Sequence, residues 1–410
     1  MSNLSRTHKI VVWGATGFTG RLVCEHIAAN YKSSIRWAMA GRSRQKLEEV
    51  RDLIAERCQV DLSDIPLVVA DLSDRASLDE MASGTEVIIS TAGPFTRLGT
   101  PIVDAAVRNE CHYVDITGEA PWVKKMIQKY DSEAESKGLR IIPCCGYDSI
   151  PSDLGAMMVV NELKSRGKKV KSVLSIVGDS KGGVSGGTLA SAMEISADSS
   201  LRADNQSPYA LIPEGQTPGS DKDIWGPRYN KAFKTWLAPF VMQVVNSRVV
   251  QRSNYILDWG KQTFSYSEMF AAPGRVSAMI IAIFTAAFGL AVSQVWLYGI
   301  LKRVLPSPGE GPSRDTMLNG LYKHKIIGES IDGDRVVAIF EDLHRDPGYW
   351  GTSRLLLEAG LCLALQKDEL EKLDCPVKKG GVLTPASALG PVLLERLRSN
   401  AGIDCRIISE

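Results

Sequence analysis

An apolar run, Lys9-Ile10-Val11-Val12-Trp13, passes at once into Gly14-Ala15-Thr16-Gly17-Phe18-Thr19-Gly20. A strand that turns through three spaced glycines into a helix can bind phosphate. Gly14 allows the tight turn, Gly17 lets backbone amides approach a pyrophosphate, and Gly20 lets the helix lie close on the sheet. The amides and the positive end of the helix then hold the anion. Thr16 stands where the commoner dinucleotide fingerprint has its second glycine, so the meaning of the turn depends on the strands and loops downstream of it.

A regular alternation comes next. After a helix over about Gly20 to Asn30, Ile35-Arg36-Trp37-Ala38-Met39-Ala40 reads as a second strand and Gln45 to about Arg57 as a charged helix. Leu67-Val68-Val69-Ala70, Glu86-Val87-Ile88-Ile89-Ser90, Tyr113-Val114-Asp115-Ile116 and Leu139-Arg140-Ile141-Ile142-Pro143 are four more strand signals, with helices over Pro101–Asn109 and Val123–Lys137. Strands and helices in strict alternation predict an α/β fold with a doubly wound parallel sheet of the Rossmann type.

The loops after these strands indicate the ligand. A site for NAD usually places an acid at the end of the second strand to hold the ribose 2′-hydroxyl, whereas here Gly41 is followed by Arg42 and Ser43, a pair suited to a 2′-phosphate. The expected cofactor is therefore NADP(H), held by Gly14, Thr16, Gly17, Phe18, Thr19, Gly20, Arg42 and Ser43. Asp71, after the third strand, can accept from the adenine amino group, while Ser73 or Asp74 is placed to cap the next helix. Ala92, Gly93 and Pro94, after the fourth strand, fall where a nicotinamide ribose would lie.

Several function classes fall away on composition. Forty-eight basic against 47 acidic side chains give no general pull toward nucleic acid. Eight scattered cysteines without a CxxC read as free thiols, and five dispersed histidines make no metal-site pattern. Only eight mostly polar residues precede the first strand, which leaves no room for a signal peptide and points to an intracellular location.

Polar groups converge at Cys144-Cys145-Gly146-Tyr147-Asp148-Ser149-Ile150-Pro151-Ser152-Asp153. Tyr147 is the candidate proton donor, with Asp148 and Ser149 positioning substrate or ribose; a packed tyrosine beside a helix-capping aspartate is the plainer alternative. Beyond it, Lys181-Gly182-Gly183-Val184-Ser185-Gly186-Gly187-Thr188 reads as a substrate-side loop or a flexible turn, and 203–230 as a long surface loop or lid. Lys325–Ile331 and Arg335–Phe340 around Asp332-Gly333-Asp334 form a hairpin signal. His344 with Asp342 and Asp346 reads as a solvated strand-end loop.

Val276 to Leu301 carries no formal charge over 26 residues, with Arg275 before it and Lys302-Arg303 after it. At a rise of about 1.5 Å per residue it exceeds the roughly 30 Å of a bilayer core. Three readings stay open here: a helix or hairpin lying on a membrane or lipid surface, a buried core or homodimer helix, and a true span. Near the end, Thr352 to Leu365 and Ala386 to Ser399 are apolar helix signals, the latter returning to cover the sheet.

The motifs GATGFTG, GRS, STAGPF, YVDITGE and CCGYDSIPSDLG, in this order, together with Asp346-Pro347-Gly348-Tyr349-Trp350-Gly351-Thr352 and Gly380-Gly381-Val382-Leu383-Thr384-Pro385-Ala386, resemble the saccharopine dehydrogenase-like oxidoreductases and the related mycobacterial trans-acting enoyl reductases. The resemblance covers nearly the whole chain, Gly309-Glu310-Gly311-Pro312 included. It implies an NADP-binding domain over 1–150, a second α+β substrate or dimerisation domain over 151–383, and a helix over about 384–400 packed back on the first. It also implies association with membranes or lipid droplets, on their cytoplasmic face, and glycolipid-related reduction. The expected activity is hydride transfer to a hydrophobic enoyl or carbonyl substrate, but not to saccharopine. The alternative is an NADP-binding lipid-droplet or membrane scaffold without turnover.

Overall fold

The computed structural model describes residues 6–31, 34–182, 201, 206–214, 216, 219, 221–293, 311–373 and 378–408. The chain divides into two compact units, the first built from residues up to Thr117, Lys125–Gly146 and Tyr349–Arg396, the second from Gly118–Lys124, Tyr147–Gly348 and Leu397 onward.

The first unit begins with β1 (His8–Trp13), α1 (Phe18–Asn30), β2 (Trp37–Gly41), α2 (Arg44–Cys58), β3 (Leu67–Val69), α3 (Arg75–Ser83) and β4 (Thr85–Ser90). It continues through α4 (Phe95–Leu98), α5 (Thr100–Arg108), β5 (His112–Asp115), α6 (Ala120–Ser136) and β6 (Arg140–Ile142). Six of the expected strands therefore form, each within about two residues of its expected bounds. The reason is compositional: Ile10, Val11, Val12, Ala38, Met39, Val87, Ile88 and Ile89 are all fully buried, the continuous apolar run that a parallel strand covered on both faces requires. Helix starts are fixed by side chains. Ser43 Oγ accepts from the Lys46 amide at α2, and Asp74 Oδ1 accepts from Ala76 and Ser77 at α3.

The second unit continues with α7 (Ile150–Ser165), β7 (Val170–Lys181), β8 (Arg228–Asn230), β9 (Thr235–Pro239), a helix over Gln243–Leu257, β10 (Ser265–Ala272), a helix over Arg275–Ser293, β11 (Leu321–Ser330) and β12 (Arg335–Asp342). After it the chain supplies the helix Thr352–Leu365 and the two-residue β13 (Gly381–Val382) to the first unit, and ends in β14 (Asp404–Ile408) of the second.

Among the described residues the first sheet has the order β13-β6-β5-β4-β1-β2-β3, with every pair parallel. The chain winds from β1 outward to β3, then crosses back to β4 and winds the other way. The reversal leaves a crevice at the carboxyl ends of β1 and β4, where doubly wound sheets bind ligands. The helix Thr352–Leu365 packs on α1, β4 and β5, so close that a side chain on Gly360 would meet Ile89 at 2.6 Å. Residues 384–400 are not one helix: Pro385–Ala388 ends at Leu389, and Gly390, at φ 51°, opens a new helix to Ala401.

The second sheet runs β14-β12-β11-β7-β10-β9-β8 and is mixed, β7 and β10 being parallel and the other pairs antiparallel. The hairpin around Gly333 (φ 90°) forms β11 and β12. Helix α7 covers their inner face, and Gly155 allows Ile326 to approach where a Cβ would be 2.8 Å away.

Two segments differ from expectation. The described part of 203–230 is not a free lid: Tyr209, Leu211 and Ile224 are buried, and Asp223 forms a bidentate pair with the fully buried Arg248. Charge and apolar side chains together anchor it. The uncharged segment forms the helix Arg275–Ser293, whose Ala278 packs with Ala238 and Ala272 while Val276, Ile280, Ile283, Phe284 and Leu290 stay exposed. Residues 294–301 lie outside the described residues, as do Gly183–Thr188 and Gly309-Glu310. Among the described residues, no helix is long and apolar enough to cross a membrane.

Candidate functional site

The first group of candidate residues is set by β1 and α1. Gly14, at φ 82°, adopts a backbone conformation that other residues rarely tolerate, and its carbonyl accepts from the Gly17 amide at 2.9 Å. At Gly20 an added Cβ would stand 2.2 Å from that same carbonyl oxygen and 2.8 Å from Thr91 Oγ1. Helix, turn and the end of β4 thus meet backbone to backbone. Thr91, which sequence reading left among the small residues of its loop, locks this meeting: its hydroxyl donates to the Trp13 and Gly14 carbonyls. Its signal was its position, directly after the strand on the other side of the reversal.

The residues present fit an NADP(H) pyrophosphate. No side chain caps α1 at Gly17 and no acid lies in its first turn, so neither supplies a carboxylate that would compete with an anion for its leading amides. Phe18 and Thr19 belong to that turn, the Phe18 ring meeting Tyr349 edge-on at 5.2 Å; Thr16 is half-buried beside Gly41. Arg42 is exposed immediately after β2, where a 2′-phosphate would need it, while Ser43 is engaged in capping α2.

Asp71 lies after β3 with Oδ1 accepting from both the amide and the hydroxyl of Ser73. Those bonds, and to a smaller degree the charge of Arg42, hold its carboxyl below the usual range. Ala92, Gly93 and Pro94 follow β4 at the same carboxyl edge, partly or fully exposed. The structure therefore places every one of the expected cofactor residues along one edge of the first sheet. Beside them, Asp115 at the end of β5 fixes the next loop by accepting from the Thr117 and Cys144 amides and from the Tyr113 hydroxyl. Cys144 and Cys145 are buried there. Among the described residues no cysteine is in a disulfide, and no group of side chains could hold a metal.

The second group opens the second unit. Tyr147 is buried, and its Oη lies 2.9 Å from His324 Nε2 on β11, with Ser180 of β7 also within hydrogen-bonding reach. The rings of Tyr147, His324 and Tyr322 pack edge-on. Burial raises the Tyr147 hydroxyl well above its ordinary range, and Glu268 and Asp148 add to this by charge. Burial also pushes the Asp148 carboxyl up to about 6. The helix-cap position is Ser149, not Asp148, and Ser149 accepts no bond from the helix amides; its hydroxyl donates to Asn246 Oδ1.

Sequence reading missed His324, Glu268 and Asn246. Glu268 is fully buried on β10, its oxygens accepting from Ser152 (2.7 Å) and Asn246 (2.8 Å). Burial pushes its carboxyl up to about 7, hydrogen bonding from Ser152, Asn246 and Ser175 opposing, and burial pushes the His324 imidazole down to about 3. Asn246 belongs to a helix whose polar side chains are buried: Gln243, Ser247, Gln251 and Asn254 recur at helical spacing, and that polar stripe was the available signal. His344 is exposed, its amide donating to Asp342, but Asp342 and Asp346 are buried, so the loop expected to be solvated is so only at His344.

Comparison with known proteins agrees with this geometry. Residues 10–142 match the saccharopine dehydrogenase NADP binding domain. A Mycobacterium tuberculosis protein provisionally named a trans-acting enoyl reductase is 37% identical over 417 residues, covering 97% of both chains. The trans-acting enoyl reductases of Mycobacterium ulcerans and Mycobacterium leprae are 36% and 35% identical, covering 97% and 98% of each chain. Apo saccharopine dehydrogenase (L-Glu forming) from Saccharomyces cerevisiae shares the fold, with a TM-score of 0.53 at 14% identity over 98% of this chain and 99% of that one. An all-parallel sheet of Rossmann order, a bare glycine cradle and likeness along the full length lead to one conclusion: the chain belongs to the saccharopine dehydrogenase-like oxidoreductases, alongside the trans-acting enoyl reductases, with NADP(H) as its cofactor.

Proposed function

We propose that this oxidoreductase reduces the carbon–carbon double bond of a hydrophobic enoyl substrate, with Tyr147 as the proton donor. The relatives' name supplies the reaction class. The observation that carries the donor assignment is the buried Tyr147 hydroxyl paired at 2.9 Å with His324. Bound NADPH supplies the hydride, and an enoyl reduction then needs one proton at the neighbouring carbon. A tyrosine held neutral by burial keeps that proton until an anion develops beside it. Gly14, Gly17 and Gly20 with the amides of α1 hold the pyrophosphate, Arg42 the 2′-phosphate, and Ala92, Gly93 and Pro94 line the ribose side. Ser149 and Asp148 orient the tyrosine segment.

A single-turnover assay with NADPH against a panel of α,β-unsaturated acyl thioesters of increasing chain length tests the reading. Absorbance loss that grows with chain length is the expected result; NADPH binding with no oxidation across the panel would leave the scaffold reading in its place.

A lipid-surface contact through the helix Arg275–Ser293 rests on one observation, the row Val276, Ile280, Ile283 and Phe284, each more than 60% exposed. Glycolipid-related substrates fit such a contact. Flotation with anionic vesicles is expected to carry the protein upward, and Ile283→Asp with Phe284→Asp to abolish it; equal flotation of a folded double variant would rule this helix out as the lipid contact.

A further inference from the structure

Resting on the reading of Tyr147 as donor, we propose that Glu268 sets the tautomer of His324, and through it whether Tyr147 is free to release its proton. Three observations within the second unit carry this. His324 is 1% exposed, with Nε2 on the Tyr147 hydroxyl and Nδ1 buried without a hydrogen-bond partner. The ionisable group facing that nitrogen is Glu268, whose Oε1 is 3.9 Å away, so a shift of roughly 1 Å completes the bond. Glu268 itself is fixed from two other elements, by Ser152 of α7 and by Asn246.

A neutral imidazole carries one hydrogen, and its partners decide where. When Glu268 is protonated, its O–H donates to Nδ1, the ring hydrogen sits on Nε2, and Nε2–H donates to Tyr147 Oη. The tyrosine's own hydrogen then points away from the histidine and can leave, and the tyrosinate that remains keeps a donor. When Glu268 is ionised, its carboxylate draws the hydrogen to Nδ1. Nε2 becomes an acceptor, and the Tyr147 hydrogen is held against it.

No bond to carbon changes in this switch: one proton leaves Glu268 for solvent, the ring proton moves from Nε2 to Nδ1, and the hydrogen bonds at both ring nitrogens reverse direction. The other ionisable groups near Glu268 are Asp148, whose charge raises it, Tyr147, and Tyr266 on its own strand; Asp153 of α7 lies near Tyr266 and is engaged by Ser253. Because burial keeps the Glu268 carboxyl protonated up to about 7, the switch turns over near neutral pH. The releasing state lies on the acid side.

Nitrogen-15 NMR of histidine-labelled, cofactor-free full-length protein reads the tautomer without any substrate. The expected result is an Nε2–H ring at His324 below about pH 7 that converts to Nδ1–H above it, and a ring fixed as Nε2–H at all pH values in Glu268→Gln, whose amide donates to Nδ1. An unchanging tautomer in the parent, or the same transition in the variant, overturns the coupling. If Glu268→Gln does not fold, Asn246→Ala removes a bond that lowers the carboxyl, and the transition must then move to higher pH. With enoyl substrate, kcat is expected to fall about tenfold per pH unit on the alkaline side and to stay level in Glu268→Gln. Coincident profiles in an active pair would defeat the catalytic role while leaving enoyl reduction standing. If the parent oxidises no NADPH, the functional reading fails instead, and the NMR arm decides the coupling alone.

Discussion

The cofactor cradle and the Tyr147 cluster recruit their chemistry in opposite ways. At the end of β1 the site is made by leaving things out: no side chain on Gly14, Gly17 or Gly20, no cap on α1, no acid in its first turn. Around Tyr147 it is made by packing in what a protein interior normally excludes, with Glu268 and His324 fully enclosed and Asp148 close by. The first arrangement stabilises a charge that a ligand brings. The second keeps protein groups neutral near pH 7, which is the condition for exchanging protons. One should therefore be sensitive to steric additions and nearly indifferent to pH, the other the reverse.

The sharpest way to break that contrast is to fill the cradle. Gly20→Ala puts a Cβ 2.2 Å from a backbone oxygen that cannot yield, and NADPH affinity is expected to fall at least ~100-fold, about 3 kcal/mol. Fluorescence titration of NADPH beside a thermal melt measures both binding and folding. Near-normal affinity would show that the helix can move off the sheet.

Next in size is Tyr147→Phe. Turnover of the enoyl substrate is expected to drop ~10²–10⁴-fold with the NADPH dissociation constant unmoved, since the missing hydroxyl serves only the proton. A parallel loss of NADPH binding would mean that the two groups of residues are not separable in function.

Arg42→Ala tests the cradle on its one charged contact. NADPH binding is expected to weaken ~10–100-fold and NADH binding to change less than about threefold, because the exposed guanidinium is proposed to hold the 2′-phosphate, which NADH lacks. Titration of both nucleotides against both proteins gives the answer, and equal weakening of the two would remove Arg42 from specificity.

The smallest expected effect is on stability. Glu268 has its carboxyl raised from 4.5 to about 7, so its contribution is whole below 4.5 and is lost as pH climbs through about 7. His324, lowered from 6.5 to about 3, works in the opposite sense, gaining between about pH 3 and 6.5, a window that overlaps most of the one in which Glu268 loses. The stability difference between the parent and Glu268→Gln isolates the carboxyl: urea denaturation should show it shrinking between about pH 4.5 and about pH 7. A difference constant across that window would mean that Glu268 is ionised throughout.

What could be read from the sequence divides along the same line. Strand, glycine turn and helix are local, so Gly14 to Gly20 and the end of β2 at Arg42 were legible from spacing, and the alternation gave the parallel sheet its six strands. Asp74 was legible as a cap because a cap bonds two and three residues on. Tyr147 stood out through its polar neighbours, but its partner His324 lies 177 residues away on β11, and the groups behind it, Glu268 and Asn246, lie on β10 and the helix Gln243–Leu257. Nothing near His324 in the chain distinguishes it from a strand histidine, and Glu268 sits in an unremarked alternating strand. Buried polar residues on Gln243–Leu257 obscured a helix that hydrophobic periodicity would otherwise have revealed. Two-residue β13 is too short for any pattern to show.

That short strand carries a consequence for how the molecule is made. Gly381 and Val382 pair with Arg140 and Ile141 on the edge of the sheet whose first strand is His8–Trp13, and the helix Thr352–Leu365 covers β4 and β5 of the same sheet. During synthesis from the amino terminus, the ribosome delivers β1 to β6 first and these two pieces some 200 residues later. Throughout that interval β6 has no outer neighbour, and the face of β4 and β5 that the late helix covers is bare. A dinucleotide-binding fragment cut near residue 146 would keep that defect permanently and is expected to aggregate where the full chain does not.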